Sequence, residues 1–175
     1  MKRLLMVIDY QVDFVSGSLG FPKASLLEGP ICQKIQEAKA HSDTIIYTMD
    51  THENNYLSTL EGKNLPIPHC IRNTAGWNLY GKVNDLLKDA HCFQKSSFGC
   101  AELIPYLREE DFGEVELCGL VSNICVLSNA VLVKAALPQA QVIVDAKCTD
   151  CADTAQNKEA LNVLEGLQVK VPNRK

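Results

Sequence analysis

Short apolar runs alternate with longer amphipathic segments along the chain, and this alternation predicts the fold. The apolar runs cover residues 4–9, 44–50, 91–94, 115–119, 141–145 and 167–171. Several of them are apolar at nearly every position, which is typical of strands covered on both faces of a parallel sheet. Each run is therefore predicted to be a β-strand.

The segments between the runs have the length and composition of helices. They cover residues 25–40, 78–88, 101–108, 123–136 and 154–164. Pro138 and Gly166 stand where the last two of these helices are expected to end. Repeated strand–helix alternation requires right-handed crossovers between parallel strands. We therefore predict one α/β domain over residues 1–175, with a three-layer, doubly wound, six-stranded parallel sheet.

Size and charge narrow the class of protein. The chain has 175 residues, about the size of one domain, and a formal net charge of −4. This acidic balance argues against a nucleic acid or an anionic membrane as partner. The first apolar run stops at Asp9, too early for a signal peptide, and no run reaches the roughly 18 residues of a membrane span. A cytoplasmic protein is predicted.

The chain contains eight cysteines, and the absence of an export signal favours reduced thiols over disulfides. Cys148 and Cys151 form a CxxC pair, which is typical of a redox motif or of half a zinc site. No second CxxC is present to complete a zinc ribbon. A redox-sensing thiol protein stays open as one alternative.

Three reactive side chains stand at the ends of predicted strands or the start of a helix. Cys125 lies near a helix N-terminus, where the macrodipole favours the thiolate, although many cysteines are merely small buried apolar residues. Asp9 ends the first strand, where a carboxylate is costly unless it is paired or caps a loop. Lys95 follows the third strand and by itself would be an ordinary surface lysine. The expected geometry could bring all three to one crevice.

A long irregular segment follows the second strand and holds possible metal ligands. Asp50 and His52 stand two residues apart, and His69 follows later. Two imidazoles and a carboxylate suit zinc, iron or manganese, whereas isolated histidines on a loop are often only solvated. Long inserts at the carboxyl ends of parallel strands are where such folds build binding sites.

Taken in order, these motifs resemble the isochorismatase-like cysteine hydrolases, and within them most closely the nicotinamidase branch. The resemblance covers nearly the whole chain and rests on residues 7–14, Asp50-x-His52, Pro68-His69-Cys70, Lys95 and residues 119–126. Each motif is modest alone, but the ordered set is specific. It implies the isochorismatase-like hydrolase fold.

The resemblance also implies roles for particular residues. Asp9, Lys95 and Cys125 would form the catalytic triad. A cis peptide at Leu120–Val121 would place the Val121 N–H beside the Cys125 N–H as an oxyanion hole. In addition, Phe14 would contact the substrate, and a divalent metal, with zinc expected and iron or manganese as alternatives, would be bound by Asp50, His52 and His69.

The activity implied is hydrolysis of a small carboxamide through a thioester, with nicotinamide as candidate substrate, by a homo-oligomeric enzyme. Pro66 departs from the branch, whose members usually have a tryptophan three residues before the ligand that matches His69. An isochorismatase-type or carbamoyl-amide hydrolase with the same triad is therefore an alternative. A catalytically silent binding module on the same scaffold is another, although it would have no reason to keep an intact triad.

Overall fold

Five parallel strands form the centre of the structure, a computed structural model that describes residues 1–174. The strands are β1 (Arg3–Ile8), β2 (Thr44–Asp50), β3 (His91–Lys95), β4 (Glu114–Leu120) and β5 (Gln141–Asp150). Their order in the sheet is β3-β2-β1-β4-β5. The chain starts at the centre, winds to one edge and then crosses to the other, which confirms the predicted doubly wound α/β class.

The sixth predicted strand is wrong in extent. Residues near Lys170 run parallel to β5, and the Val144 N–H donates to the Lys170 carbonyl at 2.9 Å, but only one isolated bridge forms. The preceding helix continues to Gly166, so few residues are left beside β5. Pro172 then accepts from the Ala146 N–H but has no N–H of its own with which to continue the ladder.

Helices cover both faces of the sheet. They are α1 (Val12–Val15), α2 (Glu28–Ala40), α3 (Leu60–Asn64), α4 (Gly81–Leu86), α5 (Leu103–Glu110), α6 (Leu127–Ala136) and α7 (Thr154–Gly166). The five predicted helices correspond to α2 and α4–α7. The insert after β2 was expected to be irregular, yet it contains α3, whose first turn is capped by the Thr59 hydroxyl accepting from the Gly62 N–H at 3.0 Å.

Two apolar clusters hold the layers together. On one face Met6 and Ile8 of β1 pack with residues of α5, α6 and α7, and on the other Leu5 and Val7 pack with residues of α2 and α4. Because β1 is covered on both faces, nearly all of its side chains are apolar. No helix among residues 1–174 is long and apolar enough to cross a bilayer.

Strand register places the functional side chains. Ile8, the last residue of β1, is level with Thr48 of β2 and Gly119 of β4, while Asp50 of β2 is level with Lys95 of β3. The carboxyl ends of four strands therefore meet at one edge of the sheet, where doubly wound folds bind their ligands.

Candidate active site

The structure brings Asp9, Lys95 and Cys125 together at this edge. The Lys95 Nζ lies 2.7 Å from the Asp9 Oδ2 and 3.6 Å from the Cys125 Sγ. All three residues are at least 95% buried. An ammonium therefore stands between a carboxylate and a thiol in a site almost closed to bulk water.

Asp9 is held in place by its neighbours on β2. It follows β1 with a left-handed backbone (φ 44°), and its N–H donates to the Thr48 carbonyl at 3.2 Å. The Thr48 hydroxyl donates to the Asp9 Oδ1 at 2.6 Å. Burial raises the pKa of Asp9, and the Lys95 charge opposes that rise only in part. Asp9 is thus a carboxylate with a raised affinity for a proton.

Lys95 is the last residue of β3, and its ammonium is fully engaged. Besides contacting Asp9, it donates to the Ser97 carbonyl at 2.8 Å and lies 3.5 Å from the Asp50 Oδ1. Burial alone would lower the pKa of Lys95, but the nearby negative charges, with Asp9 foremost, raise it above its ordinary value. The side chain is therefore a permanent cation.

Cys125 lies in a π-helical turn, Ser122–Val126, that leads into α6. Its position near a helix N-terminus predicts thiolate, but burial, followed by the charge of Asp9, raises the pKa of the thiol well above its usual value. Lys95 only partly offsets these effects. The resting group is consequently a thiol whose proton has a nearby carboxylate as acceptor.

The turn before Cys125 contains the predicted cis peptide. The Leu120–Val121 bond is cis, and Gly119 before it has a φ of 114°. The Val121 carbonyl accepts from the N–H groups of Ile124 and Val126, at 3.2 and 3.1 Å. Val121 and Cys125 both line the cavity in front of the thiol.

A cluster of metal-ligand side chains lies beside the three reactive groups. It consists of Asp50, His52, Glu61 and His69, whose ligand atoms all lie within 4.8 Å of one another. The Asp50 Oδ2 is 3.0 Å from the His52 Nε2 and 3.4 Å from the His69 Nε2. The structure thus brings together the three ligands that the resemblance implies.

Glu61 is the member that sequence reasoning missed. Its Oε1 lies 3.7 Å from the His52 Nε2 and 3.6 Å from the His69 Nε2. It stands in the first turn of α3, a five-residue helix too short to show a helical pattern in the sequence. The Thr59 cap three residues before Gly62 is the one local signal of that helix.

Backbone contacts orient the two histidines. The His69 Nδ1 lies 2.8 Å from the Ile67 carbonyl, an arrangement that fixes the proton on Nδ1 and leaves Nε2 free as a ligand. The His52 N–H donates to the Cys70 carbonyl at 3.0 Å, and the Cys70 N–H donates to the Asp13 Oδ2 at 2.7 Å. The ligand segments are therefore joined to each other and to α1.

A cavity of about 320 Å³ opens onto both groups of side chains. Three members of the metal-ligand cluster, Asp50, Glu61 and His69, line it together with Cys125. Its apolar walls come from Phe14, Leu19, Phe21, Leu65, Phe98 and Ile124. We refer to this space as the Cys125 cavity. Its walls suit an aromatic or otherwise apolar ligand with few polar groups.

The structure also shows the surroundings of Pro66 and of the CxxC pair, the two features of the sequence that left alternatives open. Pro66 is exposed, and it is its neighbour Leu65 that lines the Cys125 cavity. All eight cysteines are free. Cys148 packs in the apolar cluster below α2, whereas Cys151 lines the Cys125 cavity, so the CxxC pair is divided between two environments.

The fold and the site together define a hydrolase of the three-layer α/β class. The chain belongs to the isochorismatase family, because the isochorismatase domain matches residues 3–172. It is 32% identical over 144 residues to the isochorismatase family protein PncA of Bacillus subtilis, covering 75% of this chain and 78% of that protein.

Solved structures agree with this family assignment. The crystal structure of nicotinamidase/pyrazinamidase PncA from Bacillus subtilis superposes with a TM-score of 0.88 at 26% identity, covering 98% of this chain and 99% of that one. The pyrazinamidase of Pyrococcus horikoshii in complex with zinc gives a TM-score of 0.85 at 25% identity, covering 98% of each chain.

Proposed function

We propose that this protein is an amidase of the nicotinamidase type, which hydrolyses a small aromatic carboxamide to a carboxylate and ammonia. The observation that supports it most strongly is the ammonium of Lys95, 2.7 Å from the Asp9 carboxylate and 3.6 Å from the Cys125 thiol. Nicotinamide is the first candidate substrate, since the relatives named above include a nicotinamidase.

In this proposal Asp9, Lys95 and Cys125 act as a triad. Asp9 takes the proton of the Cys125 thiol, for which its raised pKa makes it a suitable acceptor. The sulfur then attacks the carboxamide carbon, and the N–H groups of Val121 and Cys125 stabilise the oxyanion. Asp9 returns the proton to the departing nitrogen as the C–N bond breaks. Water, deprotonated by Asp9, finally attacks the thioester; the C–S bond breaks, the acid is released, and Asp9 returns the proton to the Cys125 sulfur.

The four-residue cluster fits a divalent metal, and we propose zinc. Two imidazoles and two carboxylates are a common zinc ligand set, and the Nδ1 contact of His69 prepares its Nε2 for coordination. Iron and manganese accept the same donors. A metal held by Asp50, His52, Glu61 and His69 would supply a Lewis-acidic position that anchors a ring nitrogen or carboxylate of the substrate.

The apolar walls support an aromatic ring as the body of the substrate. Phe14 lines the cavity, and its ring centroid lies 5.6 Å from that of His69, so it places an aromatic ring beside the metal-ligand cluster. Phe98 and Leu65 stand on further walls. Although Pro66 is not among the residues that line the cavity, these side chains supply the contact area that a small planar ring needs.

We further propose that the enzyme acts as a homo-oligomer of one domain per chain in the cytoplasm, on small molecules rather than on nucleic acid or membranes. The net charge of −4 supports small molecules rather than nucleic acid or membranes as partners, and the eight free thiols support a reducing compartment. Light scattering after size exclusion tests the oligomeric state, and a purely monomeric peak would contradict it.

The decisive experiment measures ammonia release from nicotinamide and pyrazinamide by the zinc-loaded protein. Cys125→Ala is expected to abolish release, whereas Cys32→Ala, which removes a buried thiol on α2, is the matched control and should retain it. Activity in Cys125→Ala would exclude the cysteine mechanism. Wild-type protein that is inactive on aromatic amides but cleaves a carbamoyl amide or a vinyl ether would instead support the alternative hydrolases.

A further inference from the structure

A single buried amide, that of Asn129 on α6, connects two separate parts of the site. Asn129 is fully buried. Its Nδ2 donates to the Cys125 carbonyl at 2.8 Å and to the Phe98 carbonyl at 3.2 Å, and its Oδ1 accepts from the Cys100 N–H at 3.0 Å. Both amide hydrogens and the oxygen therefore have partners, as a buried amide requires.

The second connected part is the irregular segment of residues 96–100, which follows Lys95. The segment lies directly on α6, because a Cβ at Gly99 would be 3.0 Å from the Leu132 Cδ1. At its start the Ser97 carbonyl accepts from the Lys95 ammonium. At its end two main-chain groups bind Asn129. The segment is thus fixed by polar contacts rather than by regular secondary structure.

Phe98 gives this segment its importance for the site. Its side chain is 46% exposed and lines the Cys125 cavity. It also lines a neighbouring cavity that reaches His52 and Glu61 of the metal-ligand cluster. Phe98 therefore forms part of the wall between these two spaces, and its backbone position determines where that part lies.

We infer that Asn129 is a positioning residue, which fixes the Phe98 wall relative to Cys125 and so determines how tightly the site holds its substrate. This inference rests on the proposed amidase function. Asn129 touches none of the proposed reacting atoms, and acts through the carbonyl and N–H groups of Phe98, Cys100 and Cys125. Its main effect is therefore expected in KM, with a smaller effect in kcat.

The test compares Asn129→Ala and Asn129→Asp with Val133→Ala. Asn129→Asp keeps an acceptor for the Cys100 N–H but loses both donors. Val133 is a fully buried apolar residue on the same helix, so its truncation destabilises α6 but removes none of the hydrogen bonds that Asn129 makes to the segment after Lys95. For nicotinamide, both Asn129 variants should raise KM about tenfold, the size expected for one or two lost buried hydrogen bonds, and change kcat less than about threefold.

A double-mutant cycle identifies the route of the effect. In a Phe98→Ala background, Asn129→Ala should raise KM less than about twofold further, because the wall it positions is already gone. Unchanged KM in the Asn129 variants, an equal rise in Val133→Ala, or full additivity with Phe98→Ala would each overturn the inference.

Hydrogen exchange makes the result independent of turnover. In Asn129→Ala the Cys100 N–H should exchange much faster than in wild type or Val133→Ala, and equal rates would overturn the inference even if the variants were too unstable for kinetics. If wild-type protein hydrolyses no amide, the proposed function fails. The exchange data then still decide whether Asn129 fixes the segment.

Discussion

One carboxylate is shared between the metal-ligand cluster and the triad: the Asp50 Oδ1 lies 3.5 Å from the Lys95 Nζ, while its Oδ2 faces His52 and His69. Burial alone would raise the pKa of Asp50, but hydrogen bonds from the two histidines and the charge of Lys95 hold it well below its ordinary value. An ionised Asp50 thus couples the charge of a bound metal to Lys95.

Replacing Glu61 with Gln should weaken zinc binding by about tenfold or more, because one anionic oxygen leaves a set of four donors. A competition titration with a zinc chelator measures the change. Glu53→Gln is the control, since the Glu53 side chain is 62% exposed and pairs with Arg72 instead. Equal zinc affinity in Glu61→Gln and wild type would reduce the ligand set to Asp50, His52 and His69.

Thr48→Val should lower kcat/KM about tenfold and the free energy of unfolding by about 1–2 kcal/mol. The substitution removes the 2.6 Å hydrogen bond that the Thr48 hydroxyl donates to the buried Asp9 Oδ1. Steady-state kinetics and denaturant unfolding measure the two effects. Zinc content should stay at the wild-type level. Kinetics identical to wild type would mean that Lys95 alone orients Asp9.

Gly119→Ala should destabilise the fold by about 3 kcal/mol or more, or prevent folding. Gly119 has a φ of 114°, and an added Cβ would lie 2.0 Å from the Ile8 carbonyl oxygen, a main-chain atom that cannot move aside. Gly29→Ala is the matched control, because no atom lies within 4 Å of a Cβ there, and in helix α2 it should stabilise by about 0.5–1 kcal/mol. Urea denaturation compares both, and a wild-type midpoint for Gly119→Ala would refute the clash.

Asp145→Asn should show a stability loss that depends on pH. Burial would raise the pKa of Asp145, but the Lys147 N–H, the Asn173 amide and the Lys34 ammonium together hold it below its ordinary value. A lowered pKa contributes stability above the unfolded value of about 3.9, and this contribution is lost as pH falls through the folded value.

The free energy of unfolding of Asp145→Asn should therefore be about 1–2 kcal/mol below wild type at pH 7. As the pH falls below about 4, the difference between the two proteins should shrink. Denaturant unfolding at a series of pH values checks this. A difference that stays constant from pH 7 to pH 3 would show that the charge of Asp145 does not contribute.

Much of the fold was predictable because burial leaves a clear signature. β1, covered on both faces, has a continuous apolar run, and the polar residue that ends it marks the edge of the sheet. The sixth strand failed because strand pairing depends on partner and length, and Pro172 ends the ladder after a few residues. Composition alone does not reveal such a boundary.

Strand order by itself predicts the convergence only of those candidate site residues that follow strands, and the other predicted ones come from the family resemblance. Asp9, Asp50 and Lys95 stand at strand ends, so parallel topology alone suggests that they converge. Glu61 and Asn129 lie on helices, and their roles in the geometry depend on packing that no short motif encodes. The protonated state of Cys125 was also not predictable, because burial outweighs the helix N-terminus that the sequence shows.

The burial of the cysteines affects how the protein resists oxidation. Peroxides attack thiolates, and burial raises the pKa of Cys70, Cys118 and Cys148, the last to about 12. At neutral pH these side chains carry almost no thiolate. Oxidation of these three thiols should therefore be limited by how often the fold opens, and tighter packing around them would slow it.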